Sequence, residues 1–321
     1  MKADYGHPSR GLSYEHVQFY GTLAEAGYEV AHFDFMDVLR RRGRGRMNEL
    51  LRESASQSLP DLALFVIFED EIEPATIAHL RSLGIITANW FTDDHWRYDD
   101  FSKVWAPHFD YAITTSAVAT ESYEEDGSNA IPSQWGFNPY VFRSYADRER
   151  RPDLDIIFVG QPHSNRRETI ENLRSAGLRV DTFGHGWPSG KVSYTRMLDL
   201  FQRSKIALGL SGSSTGVSQI KGRDFEVPAV GALYLTTRNP ELSSFFVEGE
   251  EIACYSGSDE LVETCRRLLT SEPERERIAA AGKMRAWTEH SYVSRFSAIF
   301  AAMDFQALGA EASPETRSLR K

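Results

Sequence analysis

The sequence has little of what marks secreted, metal-binding or membrane-spanning proteins. Its 321 residues include two cysteines, Cys254 and Cys265, which lack the spacing of a zinc knuckle or a redox pair. No run approaches the ~20 apolar residues that cross a bilayer. The start, Met1-Lys-Ala-Asp-Tyr-Gly, has no apolar signal core. We therefore expect a cytoplasmic protein without a transmembrane segment.

Basic residues are also fewer than acidic residues. Thirty-six Lys and Arg against 46 Asp and Glu give a net charge of −10, which argues against general affinity for nucleic acid or an anionic membrane. An anionic ligand must then be held by local groups. A hydrophobic content of 41% is ordinary for a folded chain, and the length fits two domains of roughly 100–200 residues each.

Short apolar runs alternate with segments of helical period, an order that predicts parallel sheets of the α/β class. The predicted strands are Tyr28–Phe33, Leu62–Phe68, Ile85–Trp90, Tyr111–Thr114, Ala130–Gln134, Asp155–Val159, Val180–Phe183, Ile206–Leu210 and Ala232–Thr236. Helices are predicted between them, and three more follow. Because Met1–Arg10 is polar, the first strand of the usual pattern is expected to be missing or displaced.

The charged stretch "YVFRSYADRERRPD", residues 140–153, has no apolar period and predicts a domain boundary near 150. We expect one doubly wound domain over residues 1–150 and a second over 151–290. A helix over 291–305 would follow, able to pack back on the first domain, and 306–321 would be disordered.

Ligands of such sheets lie beyond the carboxyl ends of the strands, so the turns there are the first candidates. After the strand Asp155–Val159, Gly160 permits close approach and Arg166 lies in the first turn of a helix; both suit an anion, although a solvated arginine is the alternative. The next turn contains His185, Gly186 and Trp187, where the tryptophan either stacks on a base or sugar or simply pins the turn. Ser211 begins the Ser/Gly-rich loop "SGSSTG", a weak phosphate-binding signal.

Lys221, Arg223 and Glu226 form the strongest candidate site. Lys221 and Arg223 stand at the start of the helix that follows the Ser/Gly loop, where both cations and the helix dipole would converge on a diphosphate. Glu226, one turn further, can accept hydrogen bonds from sugar hydroxyls. The alternative is an exposed helix with weak local ion pairs.

These residues belong to a stretch that resembles a known family. "IKGRDFEVPAVGALYLTTRNPELSSFFVEGEEIACY" and "IAAAGKMRAWTEHSYVSRF" are similar to the C-terminal half of CgeB-like group 1 glycosyltransferases, which resemble a spore-maturation protein. "DYGHPSRGLSYEH", "ANWFTDDHWRYDDFSKVWAPHFDY" and "SQWGFNPYVF" are similar to its N-terminal half. The resemblance runs from about Asp4 to Phe300.

The resemblance implies a GT-B fold, in which two Rossmann-like domains face a central cleft. It also implies a nucleotide-sugar donor on the C-terminal domain, an acceptor on the N-terminal domain and no obligatory metal or cofactor. Asp153-Leu-Asp155 has the Asp-x-Asp pattern of the metal site in the other large glycosyltransferase fold. That metal site follows a strand, whereas this motif precedes its strand, so a metal-binding role is not expected. Relatives carry two glutamates in the donor site; Glu226 matches the second, whereas the first falls on Ser218.

The first domain offers acceptor-side candidates. The predicted strand Ile85–Trp90 delivers Asp93, Asp94 and His95, any of which could act as the base of glycosyl transfer, although such aspartates also cap helices. The turn around Gly11 and Ser13 is expected to close over the donor phosphates. The arginine run at residues 40–46 suits an anionic glycan, a lipid-phosphate acceptor or an acidic membrane surface, or is a solvated helix face.

The sequence thus predicts a metal-independent glycosyltransferase of surface glycan biosynthesis that uses a nucleotide-sugar donor and a glycan, lipid-linked or other acceptor. A catalytically impaired nucleotide-sugar-binding protein and a sugar-nucleotide epimerase are the alternatives. The nucleotide base, the sugar, the acceptor, the stereochemical outcome and the oligomeric state stay open.

Overall fold

The structure is a computed structural model that describes residues 1–211 and 218–304. The chain divides into two compact units. The first comprises Met1–Gln134 together with the segment that begins at Tyr292, and the second comprises Trp135–Ser291. The charged stretch at residues 140–153 therefore lies within the second unit. The tail expected at 306–321 lies outside the described residues.

The first unit contains a four-stranded parallel sheet in the order β1-β2-β3-β4. Its strands are β1 Leu62–Phe65, β2 Ile86–Phe91, β3 Tyr111–Thr114 and β4 Ala130–Pro132. Ala88 of β2 is in register with Leu64 of β1 and with Tyr111 of β3. The central strand β2 is buried along nearly its whole length, as expected for a strand covered on both faces.

The second unit contains a five-stranded parallel sheet in the order β6-β5-β7-β8-β9. Its strands are β5 Leu154–Val159, β6 Val180–Phe183, β7 Ser204–Gly209, β8 Leu233–Thr237 and β9 Ala253–Tyr255. The chain moves from β5 to β6 on one side and then returns to place β7 on the other. The strand order therefore reverses between β5 and β7, and in such sheets ligands bind at the carboxyl ends of the strands that flank this reversal.

Helices connect the strands in both units. The α-helices are Gly21–Glu25, Phe35–Arg42, Arg44–Ser58, Pro74–Ser82, Asp94–Arg97, Lys103–Trp105, Ala117–Glu125, Pro139–Ala146, Arg166–Ser175, Tyr194–Arg203, Arg223–Ala229, Ser258–Thr270, Glu272–Glu289 and Tyr292–Ala302. Two π-helical turns, His16–Tyr20 and Tyr98–Ser102, interrupt or extend them. No helix within the described part of the chain combines the length and the apolar character that crossing a membrane requires.

The last helix, Tyr292–Ala302, packs in the first unit. The ring of Phe19 lies 5.0 Å from that of Tyr292 and 5.7 Å from that of Phe296, and Trp90 of β2 lies 6.1 Å from Phe296. These side chains are all buried. The segment after the second unit thus completes the core of the first.

Most of the predicted strands are present, and the α/β class is confirmed. Residues 28–33, predicted as a strand, form none, so the described sheet of the first unit begins at β1. Pro139–Ala146 overlaps the stretch 140–153 that was predicted to mark a domain boundary; it is a helix because Asn138 caps it and Phe142 and Tyr145 are buried. The short strand β9 is not among the predicted elements.

Candidate functional site

The carboxyl ends of β5 and β7 flank the reversal of strand order in the second unit, and several predicted site residues lie there. Gly160 directly follows β5, while Ser211 lies two residues beyond the end of β7. The remainder of the predicted "SGSSTG" loop, residues 212–216, lies outside the described residues. The site is therefore built from the turns after β5 and β6 and from the residues around the helix Arg223–Ala229.

The turns after β5 and β6 approach each other closely. The amide of Gly160 donates to the carbonyl of Phe183 at 2.8 Å. A Cβ on Gly184, whose φ is +131°, would lie 2.3 Å from the carbonyl oxygen of Gly160. Trp187 donates from Nε1 to that same oxygen at 2.7 Å and is only 6% exposed. Trp187 therefore pins the turn, and its ring is packed inside the unit beside Phe158.

Two arginines flank the ring of Phe158 at the end of β5. The guanidinium carbon of Arg223 lies 5.3 Å from the ring centroid, and that of Arg166 lies 5.6 Å from it. Arg166 is 3% exposed and donates to the carbonyl of Gln161 at 3.2 Å and to His163 Nε2 at 2.9 Å. A guanidinium this deeply buried is costly unless charge or hydrogen bonds compensate it.

Two hydrogen-bond donors of this site are buried and, among the described residues, unsatisfied. Arginine has donors only, so His163 accepts on Nε2 and a neutral ring must carry its proton on Nδ1. Within residues 1–211 and 218–304, neither His163 Nδ1 nor Arg223 Nη1 has a hydrogen-bond partner. Buried donors that lack partners are rare in folded proteins, and they commonly mark the place of a ligand or an ordered water.

The electrostatics of this group favour an anion. Burial, together with the charge of Arg223, lowers the pKa of Arg166 to about 10. Burial and the positive charges of Arg166, Lys221 and Arg223 lower the pKa of His163. Each shift shows positive charges close enough to repel one another. A bound diphosphate would relieve that repulsion.

Asp224 holds the segment that contains Lys221 and Arg223. Its carboxylate accepts from the backbone amide of Lys221 at 2.6 Å and from the hydroxyl of Tyr234 at 2.8 Å. Burial raises the pKa of Asp224, an effect that these two hydrogen bonds oppose. The sequence prediction did not include Asp224; an acidic residue three positions after Lys221 has the spacing at which a side chain reaches back to an amide at the start of a helix.

Glu226 is also buried, at 3% exposure, and accepts from the hydroxyl of Tyr194 at 2.6 Å. Ser218, the position at which the sequence resemblance predicts the first donor-site glutamate, is exposed and lies 3.1 Å from Ser211, oxygen to oxygen. His185 and Gly186 are exposed on the turn after β6. The structure thus brings Gly160, Arg166, Lys221 and Arg223 together and places the remaining donor-side candidates around them.

The acceptor-side candidates lie at the carboxyl end of β2 in the first unit. Asp94 is 4% exposed and accepts from the hydroxyls of Thr114 and Tyr123, the latter at 3.1 Å. Burial raises its pKa. Asp93 and His95 are partly exposed. Of the three, Asp94 therefore has the clearest structural role.

Gly11 and Ser13 belong to the first unit as well. Gly11 is exposed with a φ of +84°. Ser13 is buried, donates from Oγ to the carbonyl of Met1 at 2.7 Å and accepts from the amide of His16 at 3.1 Å. Ser13 therefore caps the helical segment that leads into the π-helical turn His16–Tyr20.

The arginine run at residues 40–46 is largely ion-paired on the surface. Arg40 and Arg41 both contact Asp37, and Arg46 contacts Glu49 and Glu53. These pairs favour the solvated-face interpretation. Across residues 1–211 and 218–304, no three His, Cys, Asp or Glu side chains are grouped so that they could hold a metal.

Comparison with known families locates this site within a recognised domain. Residues 165–301 match the family model described as "Glycosyl transferase-like". The match covers less than half of the chain and includes Arg166, Lys221, Arg223 and Glu226. Over these residues the chain is similar to that family. No curated protein matches the sequence.

Solved structures resemble the chain over most of its length. Sucrose-phosphate synthase from Thermosynechococcus elongatus is 12% identical with a TM-score of 0.58, covering 84% of this chain and 79% of that one. Anabaena HepE, in complex with UDP-glucose, is 10% identical with a TM-score of 0.59, covering 81% and 82%. A Listeria monocytogenes protein described as a UDP-N-acetylglucosamine 2-epimerase is 13% identical with a TM-score of 0.52, covering 82% and 79%. These likenesses show the fold, and they confirm the predicted GT-B fold class with its Rossmann-like domains.

Proposed function

We propose that this protein is a glycosyltransferase that takes its sugar from a nucleoside-diphosphate donor. The glycosyltransferase-like domain at residues 165–301 and the GT-B fold support the reaction class. HepE, one of the structures that this chain resembles, was crystallised with UDP-glucose, which makes a UDP-sugar the first donor to test. The resemblance of the sequence to CgeB-like proteins supports a place in surface glycan biosynthesis.

The observation that carries the proposal is the pair of buried donors, His163 Nδ1 and Arg223 Nη1, that no described residue satisfies. They lie in one electrostatic cluster with Arg166 and Lys221, at the position where α/β sheets bind ligands. Oxygen atoms of a diphosphate would accept from both donors and neutralise the cluster. The nearby carboxylate of Asp224 is already engaged, because it accepts from Lys221 and Tyr234.

Transfer of the sugar leaves negative charge on the departing nucleoside diphosphate. Arg223 and Arg166 are held in place by packing against Phe158, so they can stabilise that charge without reorganising during the reaction. We therefore propose that the reaction needs no metal ion and no further cofactor. Glu226, positioned by Tyr194, is the candidate contact for donor hydroxyls.

On the acceptor side, we propose that Asp93 or His95 takes the proton of the acceptor hydroxyl. The buried Asp94, bound to Thr114 and Tyr123, holds the turn that carries them. Of Asp93→Asn and His95→Gln, the variant that removes the base should lower kcat strongly, whereas nucleotide affinity should be unchanged in both because the proposed nucleotide site lies in the second unit.

An assay of donor turnover tests the proposed reaction. The purified protein is incubated with UDP-, GDP-, ADP- and dTDP-sugars, with and without EDTA, and the products are resolved by mass spectrometry. We expect release of a nucleoside diphosphate from one donor at a rate above background, and EDTA should not change that rate. Loss of the activity in EDTA would refute the proposed metal independence but would leave the proposed transfer reaction standing.

A second candidate has one observation in its favour. Ser218, bonded to Ser211, lacks the carboxylate that relatives use to contact the donor sugar, which suits a protein that binds the donor without turning it over. Tight binding with no nucleotide release in the same assay would identify such a protein. A product that keeps its nucleotide but has altered sugar stereochemistry would identify an epimerase.

A further inference from the structure

Two aromatic side chains are exposed in the first unit where β1 and β2 end. Tyr5 is 55% exposed, and Trp96, in the short helix Asp94–Arg97, is 39% exposed. Large exposed aromatic rings cost free energy in water, and when they occur together they commonly mark a binding surface. Neither ring belongs to the donor site in the second unit.

The two rings are linked by contacts through Phe68 and Arg97. The ring of Tyr5 lies 5.9 Å from that of Phe68, just beyond β1. Arg97 donates to the carbonyl of Phe68 at 2.7 Å, and its guanidinium carbon lies 5.7 Å from the ring of Trp96. Arg97 also lies 4.2 Å from the ring of Phe101, which is buried. The two exposed rings are therefore anchored through Phe68 and Arg97.

The backbone of Tyr5 is strained. Its φ of 49° and ψ of 34° fall in the left-handed region, which side chains other than glycine rarely adopt. The turn is fixed by hydrogen bonds from Gly6 to Ala3 at 2.8 Å and from Asp4 to Gly11 at 3.0 Å. A strained residue that presents an exposed ring is a pattern found where the strain serves a function.

Charged groups surround the ring of Tyr5. The guanidinium carbon of Arg10 lies 5.5 Å from the ring centroid. Asp4 precedes Tyr5 directly in the chain, and the carbonyl of Asp93 accepts from the amide of Trp96 at 3.1 Å. Partial burial and the carboxylates of Asp4 and Asp93 raise the pKa of the Tyr5 phenol. An apolar ring face beside carboxylates suits a molecule with an apolar face and a hydroxyl-rich edge. A pyranose ring has this character, whereas a lipid chain has no hydroxyl groups that could donate hydrogen bonds to the carboxylates.

We propose that Tyr5 and Trp96 form a stacking surface for a sugar ring of the acceptor, with Asp4 and Asp93 accepting hydrogen bonds from its hydroxyls. The assignment rests on the proposed glycosyltransferase function and identifies the acceptor as a saccharide. Because Asp93 is also a candidate base, the surface positions a saccharide hydroxyl at the residue that would deprotonate it.

Calorimetry and saturation-transfer NMR with defined saccharides test this surface. The probes are cellotetraose, maltotetraose, chitotetraose and xylotetraose, and the proteins are the full wild-type chain and its Tyr5→Ala, Tyr5→Phe, Tyr5→Gly and Trp96→Ala variants. We expect the wild type to bind at least one probe. Tyr5→Ala and Trp96→Ala should each raise the Kd at least tenfold, whereas Tyr5→Phe should keep most of the affinity.

Tyr5→Gly separates function from folding. Glycine adopts the left-handed conformation without strain, so this variant should melt no lower than the wild type while losing saccharide binding. Val118→Ala is the matched control, because Val118 is 72% exposed in the same unit and should leave binding unchanged. Unchanged saccharide affinity in Tyr5→Ala, or no binding of any probe to the wild type, would overturn the proposal.

Nucleotide binding measured on the same samples distinguishes this proposal from the proposed function. Normal nucleotide binding without saccharide binding would remove the stacking surface and leave the donor site intact. Saccharide binding that depends on Tyr5, without nucleotide binding, would support the surface and refute the transferase. A nucleotide affinity that falls in Tyr5→Ala would show that the ring contacts the donor and would also overturn the proposal.

Discussion

At the scale of single residues, the donor site is defined by an excess of positive charge on Arg166, Lys221 and Arg223. The sequence indicated Arg166, Lys221 and Arg223, because they follow glycine-rich turns at the ends of predicted strands. It did not indicate His163 or Asp224. The role of His163 depends on its contact with Arg166, and that of Asp224 on Tyr234, a residue of the next strand. Such partners become visible only when the chain is folded.

The protonation of His163 reports directly on this cluster. Its pKa should lie below the usual ~6.5 of histidine in the free protein, and a bound nucleoside diphosphate should raise it because negative charge offsets Arg166, Lys221 and Arg223. The neutral ring should carry its proton on Nδ1. Long-range ¹H–¹⁵N NMR across acidic to neutral pH, with and without UDP, measures both properties.

The sign of the linked stability follows from the same shift. The unfolded chain takes up a proton on His163 at a higher pH than the folded chain does, so this residue contributes stability above pH ~6.5 that is lost as the pH falls. The His163→Gln variant should lose less stability on mild acidification than the wild type. An Nε2–H tautomer, or a pKa that UDP leaves unchanged, would contradict the arrangement described for this residue.

At the scale of secondary-structure elements, the turns after β5 and β6 form the floor of the donor site. Their backbones touch at Gly160 and Gly184, where a side chain has no room. Trp187 fixes the contact through the carbonyl of Gly160. The geometry of the site therefore depends on glycine at position 184 for both its conformation and its small size.

Replacing glycines in this turn separates those two requirements. Gly184→Ala should destabilise the protein by roughly 2–5 kcal/mol, because it adds left-handed strain to a clash with the Gly160 carbonyl. Gly190→Ala is the matched control: its φ is +70°, but no atom of the described residues lies within 4 Å of where its Cβ would stand, so only about 1–2 kcal/mol of strain is expected. Urea denaturation measures both values, and equal losses would contradict the close approach.

The sequence predicted most elements, because their signals are local. Continuous apolar runs identified β2, β5 and β8, and helical periods identified most helices between the strands. Residues 28–33 have the alternating pattern of a strand but no strand partner in the described structure, which a local pattern cannot reveal. The helix Pro139–Ala146 was hidden by its charged surroundings, although Asn138 followed by Pro139 is a helix-start signal.

At the scale of the whole molecule, the two units have separate sheets and separate apolar cores. The cationic donor cluster lies entirely in the second unit. The first unit needs the end of the chain as well as its beginning, because Tyr292, Phe296 and Phe300 pack near Phe19, Trp90 and Tyr28. The core of the first unit thus depends on residues from both ends of the sequence, whereas the donor cluster depends on residues from the second unit alone.

Truncation after Ser291 should expose this difference. Removing the helix Tyr292–Ala302 strips large buried side chains from the first unit, each worth about 1.5–3 kcal/mol of burial. Hydrogen exchange should show lost protection in β2, while UDP should still protect the turn after β5. Full protection of β2 in the truncated chain would contradict the role assigned to this helix.

The central claim is that Arg223 and its neighbours bind a nucleoside diphosphate, and calorimetric titration tests it most directly. The ligand is the nucleotide that most raises the melting temperature in a thermal-shift screen of UDP-, GDP-, ADP- and dTDP-sugars. Arg223→Ala should weaken binding by about 2–5 kcal/mol, or roughly 30-fold and more. The Lys221→Ala, Arg223→Ala double variant should abolish it. Arg277→Ala, which removes an exposed arginine of the same unit, should bind like the wild type. Equal affinity in the wild type and the double variant would contradict the account.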